Sequence, residues 1–174
     1  AITVDMGLKD TKQEEMDALI AYCDSLGVKH HLIKTDIGEI IFDARKEQNP
    51  CSLCAKMRRG ALNNEIIRLG GGKLALGHNA DDVAETMLLS LLYEGRFSCF
   101  APIAYMDKSG ITLIRPLLSV QREHIEAFLA SLGQSYVTDS TNLADDYTRN
   151  FFRHQVLPLL KTVNPSLENG LCAT

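Results

Sequence analysis

The sequence predicts an α/β fold built on a largely parallel sheet, and three observations carry that expectation. Short apolar runs ("AITVD", "VKHHLIKTD", "KLALG", "GITLIRPL") alternate with longer stretches in which apolar residues recur at helical spacing. Glycines close the helical stretches, as at Gly27 and at Gly70, Gly71 and Gly72, where a left-handed residue ends a helix without a Cβ penalty. Alternation of strand and helix is the pattern of parallel sheets joined by right-handed crossovers, whose ligands collect at the carboxyl ends of the strands.

The elements follow in order. "AITVD" reads as a buried strand that begins with no lead-in, so residues are expected to precede Ala1 in the intact protein. "TKQEEMDALIAYCDSLG" sets Met16, Leu19, Ile20 and Cys23 at helical spacing, and "VKHHLIKTD" is the next strand. "LCAKMRRGALNNEIIRLG" is a helix, "KLALG" an apolar strand and "NADDVAETMLLSLLYEG" a further helix. "GITLIRPL" is a strand stopped by Pro116, "VQREHIEAFLASLG" a helix and "SYVTD" a short strand. Past "DSTNLADD" the pattern becomes an amphipathic segment with Pro158 inside it, a kinked helix leaving the sheet domain. Residues 1–145 are thus expected to form the sheet domain and 146–174 a C-terminal helical extension. The triple glycine follows a helix and precedes a strand, the wrong order for a phosphate loop.

Composition narrows the classes. A chain of 174 residues with 45% hydrophobic content buries a core without needing zinc or disulfides to fold. No apolar run approaches the roughly 20 residues of a membrane span, and no basic, cleavable leader opens the chain, so a cytoplasmic protein with no membrane partner is expected. Five cysteines do not suggest a secreted disulfide framework. A net charge of −4 argues against bulk affinity for nucleic acid but leaves room for local phosphate-binding patches.

Three groups of residues could carry chemistry. In "NPCSLC", Asn49 is a candidate N-cap and Pro50 the first helical residue, which sets Cys51 and Cys54 one turn apart where the helix dipole favours thiolate. The alternatives are a metal site, a persulfide carrier, a redox dithiol, or two small buried apolar residues. No second close pair exists for a four-cysteine zinc site, since Cys23, Cys99 and Cys172 are isolated. In "GHNADDVAET", Gly77, His78, Asn79, Asp81, Asp82 and Glu85 follow a strand and open a helix, the ligand end of a parallel sheet. They could hold Mg²⁺, orient a nucleotide or receive a cationic substrate, or the acids could simply complement the helix dipole. In "YTRNFFRH", Arg149 and Arg153 lie four apart on one helical face suited to phosphate, or form an ordinary solvated basic face. Arg115 ends a strand on the presumed ligand side, and Lys56, Arg58 and Arg59 follow the cysteines.

"NPCSLCAKMRRGALN", "LALGHNADDVAETMLLSLLYEGR" and "ITLIRPL" resemble the PP-loop ATP pyrophosphatases that modify tRNA, most closely the 2-thiocytidine synthetase branch. The resemblance runs from Ala1 to Leu118. It implies a Rossmann-like, three-layer α/β/α domain of the adenine nucleotide alpha hydrolase type, with ATP and Mg²⁺ as cofactors and an iron–sulfur cluster whose ligands would include Cys51 and Cys54. Gly77, His78, Asn79, Asp82 and Glu85 would line the nucleotide cleft, with Asp81 and Asp82 acting in catalysis. Lys56, Arg58, Arg59, Arg115, Arg149 and Arg153 would bind tRNA. A sulfur donor, protein or small sulfide, is a further implied partner, and a homodimer an open one. Two departures stand out. The family's Ser-Gly-Gly-x-Asp-Ser loop is not matched, so the chain alone is expected to be inactive, with that loop lying before Ala1. The segment from "SYVTDSTN" to "SLENG" is instead similar to the tRNA(Ile)-lysidine synthetase branch, which leaves the third cluster ligand open between Cys99 and Cys172.

The expected chemistry is adenylation of a cytidine carbonyl in tRNA, with displacement of AMP by sulfur. A lysine amine held by Asp81, Asp82 and Glu85 is the alternative, and a non-catalytic nucleotide- or tRNA-binding module is a second.

Overall fold

The computed structural model describes residues 1–8, 12–44, 50–137 and 148–172, with backbone alone at 42–44 and 50–52. Its elements are β1 (Ile2–Asp5), α1 (Gln13–Ser25), β2 (His31–Lys34), α2 (Pro50–Arg68), β3 (Lys73–Ala75), α3 (Ala80–Glu94), β4 (Ile103–Met106), β5 (Ile111–Ile114), α4 (Arg122–Ser131), α5 (Thr148–Phe151), α6 (Leu157–Val163) and α7 (Leu167–Cys172), with π-helical turns at Glu39–Ala44 and Phe152–Val156. The fold is α/β, as the alternation predicts. The chain forms two compact units, Ala1–Gly72 with Met106–Ile111, and Lys73–Tyr105 with Thr112–Thr174.

In the first unit β1 and β2 pair in parallel, Ile2 opposite His31 and Asp5 opposite Lys34. The crossover between them is α1, whose inward face buries Cys23. Residues 26–28 then turn back to β2, with Gly27 in the left-handed region at φ 65°. Helix α2 packs against β1. Its last turns are tied to β2, where the Glu65 carboxylate lies 3.4 Å from His31 Nδ1 and accepts from Arg68 Nε at 2.8 Å. Ile37, Ile41 and Ile66 fill the core of this unit. A close approach shapes the end of β1: a Cβ on Gly38 would stand 2.9 Å from the Gly7 carbonyl oxygen, so only glycine fits there.

In the second unit the strand order is β3-β5-β4, with β3 parallel to β5 and Leu74 opposite Leu113. Helix α3 follows β3 and presents Ala80, Val83, Ala84 and Met87 to the core. Small residues at 80 and 84 let other elements approach closely. Helix α7 packs on α3, the π-helical turn Phe152–Val156 touches α3 as well, and Phe152 is buried. Gly95 closes α3 at φ 65°, with its N–H on the Leu91 carbonyl.

Four readings change on contact with the structure. The described strands fall into two sheets. Strand β4 is one the periodicity does not predict. Residues 135–137 of the expected strand "SYVTD" are not strand, and its remainder lies outside the described residues. The kink predicted at Pro158 is a π-helical segment that ends just before α6. Proline has no N–H to give the carbonyl four residues back, so the regular ladder is interrupted over that turn. The expected boundary at residue 145 and the N-cap Asn49 lie outside the described residues.

Candidate functional site

The acids of "GHNADDVAET" sit where the sequence places them, at the carboxyl end of β3 and the start of α3, and each has a partner within the fold. Asn79 and Asp82 form a capping box, Asp82 N–H donating to Asn79 Oδ1 at 3.1 Å and Asn79 N–H donating to Asp82 Oδ2 at 3.0 Å. Asp81 Oδ2 accepts the backbone N–H of Arg122 at 2.8 Å, satisfying an orphan donor in the first turn of α4. Glu85, 0% exposed, accepts from Arg149 Nε at 2.8 Å and from Arg153 Nε at 2.7 Å and Nη2 at 3.0 Å. Arg149 Nη2 donates onward to Thr86 Oγ1 at 2.7 Å.

A buried carboxylate is costly without compensating charge, and two guanidiniums provide it here. They are not equivalent. Arg153 is 18% exposed and lies 3.8 Å from Asp82 as well, while Arg149 is 46% exposed. Burial works against the charge of Arg153, but the hydrogen bond and charge of Glu85, aided by Asp82 and Asp81, outweigh it and raise its pKa above the ordinary arginine value. The arginines predicted to grip phosphate are therefore first of all the counterions of Glu85. Among the described residues no group of three or more His, Cys, Asp or Glu side chains is gathered to hold a metal.

His78 and Arg115 meet in the same unit. Arg115, 8% exposed at the end of β5, donates from Nε to His78 Nδ1 at 3.2 Å and from Nη1 to the Ala101 carbonyl at 2.5 Å. Its guanidinium stands 4.9 Å from the Phe100 ring centroid, and the His78 ring stacks on Phe100 at 4.5 Å. Gly77 precedes this pair and is exposed.

A recess of about 310 Å³ opens beside α3, lined among others by Thr86, Ser90, Tyr93, Cys99 and Arg149. Burial pushes the Cys99 thiol up from its ordinary value, the Phe100 backbone hydrogen bond and the charges of Arg115 and Arg149 opposing it. Burial likewise pushes the Cys172 thiol up, with Cys99, Glu168 and Asp81 adding to the effect. Both cysteines thus favour the protonated thiol over the thiolate that ligates metal.

In the first unit, α2 begins at Pro50 as the sequence predicts, which places Cys51 and Cys54 in its opening turns. Cys54 is half-buried, and its Sγ lies 3.3 Å from the Met6 sulfur, just past the carboxyl end of β1. The donor set here is soft sulfur at a helix N-terminus, which suits an iron–sulfur centre better than a hard cation. The side chain of Cys51 lies outside the described residues. Lys56, Arg58 and Arg59 are all exposed on α2.

Sequence reasoning misses Met6, Thr86 and Phe100 as neighbours of the site. Met6 has a signal, since it directly follows a parallel strand. Thr86 and Phe100 have none, because their partners lie 63 residues on at Arg149 and 22 residues back at His78.

Charged side chains thus gather where the parallel strand β3 gives way to α3, the end of an α/β sheet at which ligands generally collect. Residues 1–160 match the PP-loop domain family, ATP_bind_3, and the chain belongs to that family. Among curated relatives, the chain is similar to the tRNA(Ile)-lysidine synthase of Parabacteroides distasonis, 38% identical over 150 residues, covering 86% of this chain and 33% of that protein. It is similar too to the tRNA-cytidine(32) 2-sulfurtransferase of Geobacter sulfurreducens, 37% identical over 129 residues, covering 74% of this chain and 49% of that one. The chain thus spans a third to a half of the length of these relatives. In fold it matches the U34-tRNA thiolase NcsA from Methanococcus maripaludis, whose structure holds a 4Fe-4S cluster, with a TM-score of 0.78 over 99% of this chain and 58% of that one at 22% identity.

Proposed function

We propose that the protein is a cytoplasmic, ATP-dependent tRNA-modifying enzyme that places sulfur on a cytidine. The cytidine carbonyl oxygen attacks the α-phosphorus of ATP, pyrophosphate leaves, and the base carries AMP as an activated ester. Sulfur then attacks the same carbon and AMP departs with the oxygen. Mg²⁺ would offset the phosphate charge during the first step. Cys51 and Cys54 would hold an iron–sulfur cluster, which when bound supplies the sulfur in nucleophilic form, replenished by a donor protein or small sulfide.

The observation that carries this reading is the paired-cysteine opening of α2, with Cys54 Sγ facing the Met6 sulfur at 3.3 Å. The geometry at Glu85 supports it from the other side. In the lysine-transfer alternative an acid of this cluster receives the incoming ammonium, yet both oxygens of Glu85 already accept guanidinium N–H groups and its charge is offset twice over. What favours the alternative is the "TRNFFR" segment itself, whose two arginines build that same pair of contacts. His78, Asn79 and Asp82 would face the nucleotide, and exposed Lys56, Arg58 and Arg59 would meet the tRNA backbone.

Nucleoside analysis separates the readings. The product of the complete reading frame is incubated with ATP, Mg²⁺, a sulfide source, lysine and unmodified tRNA. Thiolated cytidine that disappears in Cys54→Ser supports sulfur transfer. Lysine-bearing cytidine that survives Cys54→Ser establishes the alternative, and a protein that binds AMP but yields neither is the binding module.

A further inference from the structure

We infer that Met6 is a positioning residue for Cys54: its thioether accepts the Cys54 S–H and holds the thiol against the end of β1 while no ligand is bound. Cys54 Sγ donates to Met6 Sδ at 3.3 Å. A thioether sulfur has lone pairs and no proton, so it can only accept, and the proton between the two sulfurs is the cysteine's. Both side chains are half-buried, which keeps water from replacing either partner freely.

The Met6 backbone is pinned from several sides. Asp5 Oδ1 accepts the Gly7 N–H at 3.0 Å, which bends the chain just past β1. The Asp5 carbonyl accepts both the backbone N–H and the hydroxyl of Thr35, each at 2.9 Å. The Met6 carbonyl itself accepts the Gly38 N–H at 2.7 Å. A Cβ on Gly38 would come within 3.1 Å of that carbonyl, so a side chain there would displace the turn that carries Met6. Helix α2, packed on β1, brings Cys54 from the other side. Methionine suits the gap between turn and helix, because its unbranched chain adapts to irregular space and ends in a soft acceptor.

The consequence rests on the reading of Cys54 as a ligand given above. A ligating thiolate has no S–H to donate, so Cys54 gives up Met6 whenever it serves as a ligand. Until then Met6 covers one side of the sulfur and keeps it as the thiol, the form least open to oxidation. The thioether thus guards the cysteine in the interval before the site is loaded.

Infrared spectra in the S–H stretching region, taken on the iron-free product of the complete reading frame, test the contact directly. The Cys54 band is identified by its loss in Cys54→Ser. The expected result is a band that shifts when selenomethionine replaces methionine, and that moves in Met6→Leu toward the position of a thiol lacking this acceptor. A band indifferent to both changes overturns the inference. Selenomethionine keeps the shape of the side chain, so that comparison decides even if Met6→Leu does not fold. Iodoacetamide labelling at one fixed pH should run roughly threefold faster at Cys54 in Met6→Leu, the factor that a hydrogen bond at the weak end of the usual range protects, with Cys99 and Cys172 unchanged. Equal rates at Cys54 would reject the guarding role. Failure of the cluster reading would show separately, as protein that takes up neither iron nor acid-labile sulfide while the Met6-dependent band is intact.

Discussion

Glu85 shows how a residue's type misleads when its partners are far away in sequence. Met87, Ala84 and Val83 around it are core, and Glu85 reads as one of several acids at a ligand edge, but its partners Arg149 and Arg153 lie 64 and 68 residues on. Nothing local in "ADDVAET" states that its last acid is 0% exposed and already paired. The pairing predicts an asymmetry. Glu85→Ala takes from the Arg153 guanidinium, 18% exposed, the carboxylate it hydrogen-bonds, at a cost of roughly 3 kcal/mol in urea unfolding. Arg153→Ala should cost nearly as much and Arg149→Ala well under half of that, since Arg149 is 46% exposed and screened by water. Equal losses for the two arginines would remove the distinction drawn between them.

Helix α3 is the element the sequence describes best, because its cap, its apolar spacing and its closing glycine all act over four residues or fewer. Replacing the cap, Asn79→Ala, should destabilise the second unit by about 1 kcal/mol, read by chemical denaturation, and no change would show the box to be redundant. Strand β4 is the opposite case. It is four residues long at the edge of its sheet, with Ile103 and Tyr105 exposed, so no buried face leaves a period in the sequence. The helical end of the chain is legible as helix but not in its partners. Lys161 of α6 bonds Glu168 of α7, and although burial opposes its charge, the hydrogen bond and charge of Glu168 raise its pKa above the ordinary 10.5. A raised lysine pKa contributes stability that is complete below 10.5 and lost as the pH climbs through the folded-state value. Urea midpoints should therefore fall in that alkaline range in the wild type, and fall less in Lys161→Met. On α2, Lys56, Arg58 and Arg59 are exposed. Their triple alanine variant should flatten the salt dependence of tRNA binding, each lost phosphate contact lowering the slope by about 1. An unchanged slope would place the RNA elsewhere.

At the scale of the whole molecule, the alternation of strand and helix yields the α/β class correctly, because parallel strands and their crossovers stamp opposite periodicities on the chain. It does not yield the division into a two-stranded and a three-stranded sheet, since strand order depends on contacts between residues far apart, such as Lys73 with Thr112. The candidate site divides in the same way. The cysteine pair, the capping acids and the basic residues can be found by spacing, while Met6 beside Cys54 and Phe100 under His78 come only from the fold. Membership of the PP-loop family rests on 160 matched residues, and relatives of both the sulfur and the lysine chemistry match at similar identity. The opening of α2 is therefore where the two proposed chemistries can be told apart. The most direct measurement is anaerobic purification of the product of the complete reading frame, with iron, acid-labile sulfide and the visible spectrum determined together. The account predicts iron and sulfide in cluster proportion to protein, lost in Cys54→Ser. An iron-free protein whose Cys54→Ser variant modifies tRNA as well as the wild type would contradict it.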